Sequence, residues 1–397
     1  MNRIHFSTGY LKIVAFCCVF FMVSCTEYQE KAESILIDNS KISDSVIIDS
    51  LISSIDVIPL KKESTKSLLS DISSKIFFYK NRIIIVDYIL GNYVCIFNND
   101  GEFISKIEVT GQGPGELSDI SSVSINPSED CLEIFSGNEK KELIYSLDGK
   151  FLEEKPSPVY FQDKVVLKKH EIFYSKDLAN LSFFGNGNCY ELFSMDKIKG
   201  KLNLLKSKDQ EDFRKFVDSR TNNPFFKFEE NLFFYKFFTD TIFNLSEKEL
   251  KIRYVIKFQE RGIPSNFWKK NSRYSEKIEA LEKERLAYFS GRFFESVRFV
   301  SLVYGYQGNS VWYIRDKKNS KQINSLSIRL EKYDLDLFPP LQFSENGFFY
   351  FIPAKAFKRL INGHSNPSIL PYRFREIADS LNESDNPVIL RINLLNK

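Results

Sequence analysis

Residues 75–117 read KIFFYKNRIIIVDYILGNYVCIFNNDGEFISKIEVTGQGPGEL, and their pattern decides the fold. Four short runs rich in β-branched and aromatic residues, at 76–79, 83–87, 93–97 and 103–109, are separated by Lys80-Asn81, Gly91-Asn92 and Asn99-Asp100-Gly101. The separators are turn formers, because Gly and Asn accept positive φ at little steric cost and Asp bonds its own backbone amides. Runs this short suit strands and not helices. Four strands joined by tight turns within about 45 residues make one antiparallel sheet the size of a propeller blade.

The following residues repeat the unit as SSVSINP (121–127), CLEIFS (131–136) and ELIYSLDGKF (142–151). Asp148-Gly149 follows Asp100-Gly101 at a spacing of 48, and Phe151 follows Phe103 at the same spacing. A period of that size argues for repeated blades and against a sandwich. The succession IIIVD (83–87), VCIF (94–97), DGEF (100–103) and GQGPGE (111–116) resembles the NHL-type β-propeller repeat. More closely it resembles the six-bladed β-propeller lipoproteins of Gram-negative bacteria, whose function is largely unassigned. The GQGPGE loop is the most specific element, and the resemblance covers residues 72–152. It implies an all-β, six-bladed β-propeller.

The 397 residues include 43% hydrophobic and 15% aromatic residues, enough for a sizeable core, and 38 of the aromatics are Phe. Phe suits the flat faces between packed sheets. Charge is balanced at 55 basic against 52 acidic residues, so a nucleic-acid partner, which needs a clustered basic face, is not expected. Arg3 and Lys12 precede an apolar run at 13–23 that ends in Val23-Ser24-Cys25. That run is shorter than the roughly 20 residues of a membrane span and reads as an export signal. Met22-Val23-Ser24-Cys25 resembles a bacterial lipobox, which implies cleavage before Cys25 and a diacylglycerol on its thiol. The expected address is the cell envelope, on the outer membrane because Thr26 stands where inner-membrane retention often has Asp; the side it faces is left open. Cys95, Cys131 and Cys189 are then the remaining cysteines, without disulfide or metal spacing.

The expected organisation is a leader at 1–24, a tether at 25–34 and one propeller domain at 35–397, a monomer. Residues 35–60 alternate apolar and polar positions and are expected to lend one or two strands to the last blade, closing the ring against 387–395. A third blade is read through 165–177 and 189–196, a fourth at 225–258, a fifth at 293–316 with more strand at 325–334, and a sixth from 341. The period breaks once, at 265–289, where Trp268, Tyr274, Ile278, Leu281 and Tyr288 form an apolar stripe of one inserted amphipathic helix. A further helical segment is expected from Tyr372 to Leu381.

Candidate site residues are few. Gly111, Gly113, Pro114 and Gly115 read as a blade-to-blade turn and not a phosphate cradle, since no Lys-Ser/Thr pair and no helix follow. Glu116 has two readings, ligand contact or capping of the loop amides. Asp87, Asp119, Asp177, Asp240 and Asp316 stand near strand ends, where turn-capping Asp is common. His170 and His364 are the histidines beyond the leader and lack a paired Cys, so no metal site and no cofactor are expected. A calcium ion on the propeller axis stays open, because its ligands would come from separate blades. Trp268 and Tyr274, with Tyr304, Tyr306, Trp312 and Tyr313, offer surfaces for sugar stacking or protein contact. Two functions remain: a non-catalytic, membrane-anchored module binding a protein or glycan, or a propeller enzyme. The enzyme would be a glycan hydrolase, lyase or lactonase with carboxylates near the central channel.

Overall fold

The structure, a computed structural model, describes residues 32–395 except 64–66, 70–74, 89–90, 112, 114, 176–177, 186, 209–222, 265–266 and 268–273. The leader, Cys25, Pro114, Asp177 and Trp268 therefore lie outside the described residues.

The blade pattern read from 75–117 is present strand for strand. Blade 1 pairs Lys75–Tyr79, Arg82–Asp87, Tyr93–Asn98 and Phe103–Glu108 antiparallel in chain order. Blade 2 does the same with Ser122–Asn126, Cys131–Ser136, Lys141–Ser146 and Phe151–Pro156. Blade 3 is Phe161–Leu167, His170–Ser175, Cys189–Asp196 and Leu202–Lys208. Blade 4 contains Phe225–Phe228, Asn231–Phe234, Thr241–Leu245 and Leu250–Phe258, and blade 5 contains Tyr288–Glu295, Phe299–Tyr306, Asn309–Asp316 and Gln322–Ser325.

Among the described residues the sheets number seven, so the expected six blades are corrected to seven. Blade 6 is a reduced sheet of Val46–Ile47, Ile328–Leu330 and Leu335–Leu337. Blade 7 is Gln342–Ser344, Gly347–Ile352, Val388–Leu394 and Ile52–Pro59. Blades 5 and 7 also touch directly, through the stacked rings of Phe294 and Phe343 at 5.6 Å and the Trp312–Phe348 edge contact at 5.7 Å. Blade 6 therefore stands toward the rim, which is why strands of two or three residues suffice for it.

The ring closes as expected, but with one N-terminal strand. Ile52–Pro59 pairs antiparallel with Val388–Leu394, Pro59 opposite Val388 and Ile52 opposite Leu394. The residues before it go elsewhere. Glu33–Ile37 adds a parallel fifth strand to blade 4, and Val46–Ile47 pairs parallel with Ile328–Leu330 of blade 6. Glu33 and Ser34, read as tether, are thus in a strand. Residues 33–59 form a belt over blades 4, 6 and 7, fastened to the edge of blade 5 by the Ser43–Ser325 bridge. Buried Asn39 pins it further, donating to the Glu260 carbonyl at 2.7 Å and accepting from the Glu260 amide at 2.9 Å.

Neighbouring blades bury apolar faces on each other: Ile84, Val94, Ile134 and Leu143 between blades 1 and 2, and Ile58, Phe97, Phe349 and Ile389 between blades 7 and 1. Phe is used as expected for flat interfaces; Phe135 and Phe161 stack at 3.8 Å across blades 2 and 3. Full burial of each such ring is worth about 1.5–3 kcal/mol.

Among the described residues of the helix expected over 265–289, the α-helical span is α1, Tyr274–Lys283. Tyr288 and Phe289 already belong to the first strand of blade 5, since their side chains are needed in the blade interface. Leu281 and Ile278 of α1 pack with Phe238, Phe267 and Leu286. Two further helices, α2 (Ala354–Asn362) and α3 (Tyr372–Ser380), are inserted between the second and third strands of blade 7. Buried Ala354, Phe357 and Ile361 recur at helical spacing in α2. Single insertion is thereby corrected: the second half of the chain carries two helical insertions.

Candidate functional site: the insertion face

Strand alternation sorts the connections onto two faces. Within each four-stranded blade the first-to-second and third-to-fourth turns emerge at one end, and the second-to-third turns and blade-to-blade links at the other. Among the described residues the first end holds tight hairpins, such as 79–82, 98–103, 126–131, 167–170 and 196–202, and the Asp49–Leu51 turn that leads into Ile52–Pro59. From the second end emerge the GQGPGE loop and the connections 175–189, 258–288 with α1, and 352–388, whose helices α2 and α3 reach back to Tyr333 at the first end. Function in a rigid scaffold resides mostly on such insertions. This insertion face is the candidate site.

At its centre, the first strands of blades 1, 2 and 3 are tied by charge. The Lys75 ammonium donates to both Asp163 carboxylate oxygens at 2.7 and 2.9 Å and to the Val123 carbonyl at 3.0 Å. Ser122 Oγ donates to the same carboxylate at 3.1 Å. Tyr88 lies beside it: burial, then the charge of Asp163, push its phenol pKa up. Across the ring, the first strands of blades 4, 5 and 7 meet through Phe226, Phe294 and Phe343, with ring centroids 5.8 and 5.6 Å apart. A calcium ion takes six to eight oxygen ligands. The inner-strand cluster offers Asp163, Ser122 and the Val123 carbonyl, all engaged with Lys75 or each other, so that donor set does not fit the ion.

Carboxylates from inside and outside the GQGPGE loop cap the amides of its described residues. Glu116 folds back so that its Oε2 accepts from the Gly113 amide at 2.8 Å, and the Gly115 amide reaches Glu154 of blade 2 at 2.9 Å. A Cβ on Gly111 would meet that Glu116 carboxylate at 1.9 Å, which explains the glycine. Glu116 is thus a loop cap. Asp87 is buried at the end of a blade 1 strand and accepts from the Gly91 amide at 3.0 Å. Asp240 is exposed and accepts from Thr241 Oγ1 at 2.7 Å. Asp87, Asp119 and Asp240 all stand on the insertion face, the first two at blade 1 and its link to blade 2 and the third in blade 4, whereas Asp316 stands on the hairpin face. Tyr274 begins α1 on the insertion face. Tyr304, Trp312 and Tyr313 are fully buried core residues, so they offer no binding surface.

The residues that sequence reasoning missed are buried charges between blades. Lys164 of blade 3 places its ammonium 2.7 Å from Glu133, 2.5 Å from Glu142 and 2.9 Å from Glu171. These three carboxylates are close enough to hold a metal ion, but the ammonium sits among them and is the cation they bind. Burial opposes ionisation of Glu133, yet the charges of Lys164 and Lys155 hold its carboxyl down at about 2. Glu191, fully buried in blade 3, receives Lys206 and Lys236 at 2.5 Å each, Lys236 coming from blade 4. Burial again opposes ionisation, and Lys236, Lys206 and Lys208 bring it to about 2. A third node joins Glu295 of blade 5 to the Tyr254 hydroxyl and Lys317, each at 2.8 Å. The available signal was a lone carboxylate inside an apolar strand run, as in CLEIF (131–135) and CYELF (189–193). Burial pushes the Cys131 thiol up to about 11 and that of Cys95 in blade 1 up to about 12.

A family profile described as a domain of unknown function, DUF4934, matches residues 33–393. Among solved structures, the chain is similar to a Bacteroides fragilis NCTC 9343 protein that carries the description of an exported protein. The likeness has a TM-score of 0.70 at 19% identity and covers 91% of this chain and 99% of that one. A DUF4221 family member from Bacteroides vulgatus is similar at a TM-score of 0.47 and 10% identity, covering 87% of this chain and 98% of that one. No curated protein matches the chain.

Proposed function

The chain belongs to the DUF4934 family, a domain of unknown function, and from that premise we propose that it is a lipid-anchored envelope protein whose propeller binds a protein or glycan partner on the insertion face without catalysing a reaction. The observation that carries this reading is the asymmetry of the two faces. Every long connection emerges on one of them, and its central carboxylate, Asp163, is spent on Lys75. Glycoside hydrolysis needs two carboxylates flanking one bond. The insertion face also exposes Phe338, 80% accessible, which suits contact with a partner surface. The leader and the lipobox-like Cys25 support the anchor, Thr26 supports the outer-membrane address, and the fold relative described as exported accords with a location outside the cytoplasm.

The test compares the lipidated protein with two variants on a glycan array and in capture from envelope extracts. Phe338→Ser on the insertion face should abolish capture. Lys150→Glu on the hairpin face should leave it unchanged. Equal capture by all three would overturn the assignment of the face, and turnover of a glycan or lactone by the pure protein would favour an enzyme. Mass spectrometry checks the anchor separately: wild-type protein should carry acyl chains and Cys25→Ser none.

A further inference from the structure

The hairpin face has tight turns throughout, yet two of its tips share an unusual composition. At blade 3 the turns around 168–169 and 197–201 abut, the Lys197 amide donating to the Lys169 carbonyl at 2.9 Å. Together they expose Lys168, Lys169, Lys199 and Lys201 around Ile198, whose accessibility is 74%. Blade 5 repeats the device. The Lys317 amide donates to the Arg298 carbonyl at 2.8 Å, and exposed Lys318 and Lys321 share the tip with Val297, accessible to 59%. An aliphatic side chain held out among amines is costly against water alone. It fits a boundary where amines meet phosphates and the apolar side chain enters the acyl region.

The direction of chain entry is a separate observation. Glu33–Ile37 runs parallel to Leu250–Phe258, Glu33 opposite Tyr254 and Ile37 opposite Phe258. Leu250 follows a hairpin, so the chain reaches blade 4 from the hairpin side, between the two basic tips. The seven residues 26–32 span at most about 25 Å. We infer that the hairpin face of blades 3 and 5 rests on an anionic phospholipid surface. Ile198 and Val297 enter it, the surrounding lysines bind phosphate headgroups, and the insertion face is turned away from the bilayer. The orientation rests on the proposed lipid anchor; the affinity of the tips for headgroups belongs to the folded domain itself. Exposed Glu229, Glu230 and Glu249 of blade 4 lie between the tips, so the contact is two-footed and not flat.

The experiment uses the full chain as Cys25→Ser, unacylated, in co-sedimentation with phosphatidylcholine vesicles with and without phosphatidylglycerol. Binding should require phosphatidylglycerol and weaken with salt. At about fivefold per lysine, Lys169→Glu with Lys199→Glu and Lys201→Glu should lower partitioning ~100-fold, and Ile198→Ser several-fold. Glu229→Lys with Glu230→Lys should strengthen it. Absence of binding to either vesicle, or lysine variants that bind like the parent, would overturn the inference. Acylation of wild-type Cys25 is read separately by mass spectrometry, so failure of the anchor and failure of the surface are told apart.

Discussion

Gly101 and Gly149, the two glycines whose spacing exposed the repeat, are where one residue decides how blades fit. Both have φ of +82°, and a Cβ on Gly101 would sit 2.0 Å from the Pro59 carbonyl of blade 7, whereas on Gly149 it would meet Ser105 Oγ of blade 1 at 2.3 Å. The repeat extends to the backbone: a register shift follows Ile96 and Ile144, and Phe103 and Phe151 each make an edge contact with the preceding strand's Phe97 or Tyr145. Backbone cannot yield as a hydroxyl can. Gly101→Ala should therefore destabilise by more than the roughly 1–2 kcal/mol of the left-handed conformation, and Gly149→Ala by about that amount, in urea unfolding. Lys164 is the second decisive residue. Lys164→Met leaves Glu133, Glu142 and Glu171 buried without their central cation, and a loss of about 3–5 kcal/mol is expected. Adding Glu142→Gln and Glu171→Gln to that variant should recover part of it. The same nodes predict the response to acid. Glu133 and Glu191 titrate at about 2 in the fold against 4.5 unfolded, so their stabilisation is complete above pH 4.5 and is lost as pH falls toward 2. Each is worth on the order of 3 kcal/mol at neutral pH. Stability measured against pH should fall steeply over that window, and less steeply in Glu191→Gln.

Elements were legible where the pattern was local. Blades 1 and 2 were readable because β-branched runs alternate with Gly, Asn and Asp turns, and those signals lie within a few residues of one another. α2 was not, because the strand Gly347–Ile352 runs into it with only Pro353 between, so FFYFIPAKAF reads as one apolar stretch. Blade 6 was hidden because strands of two and three residues leave no periodicity to detect. The partners of Glu33–Ile37 and Val46–Ile47 lie more than two hundred residues away, and parallel pairing has no turn signal. The helix α1 can be tested at this scale. Leu281 is fully buried among Phe238, Phe267 and Leu286, so Leu281→Ala should cost about 2–5 kcal/mol. Hydrogen exchange should locate the loss in 274–288 while the amides of blades 1–3 keep their protection. Uniform loss of protection round the ring would instead make the helix part of the ring's cooperative unit.

At the scale of the molecule the site was the least legible part, because faces belong to the ring and not to any segment. Asp163 and Lys75 are 88 residues apart, and only closure brings the first strands of blades 1 and 3 to one place. What closes the ring is the N-terminal belt, and its two halves should behave differently when removed. Deleting 32–48 takes the fifth strand from blade 4 and the short third strand from blade 6, both at the rim. The four antiparallel strands of blade 4 remain paired, so that protein should stay folded and monomeric with a lower melting temperature. Deleting 32–59 also takes Ile52–Pro59, which covers the edge of Val388–Leu394 and supplies Ile58 to the wall between blades 7 and 1. An apolar strand edge is then open, and such edges pair with other chains. With the leader and residues 25–31 kept in both variants, size-exclusion chromatography should show a monomer for the shorter deletion and aggregates for the longer. A monomeric longer deletion that melts like the parent would mean the ring closes without the strand, by direct contact of blade 7 with blade 1.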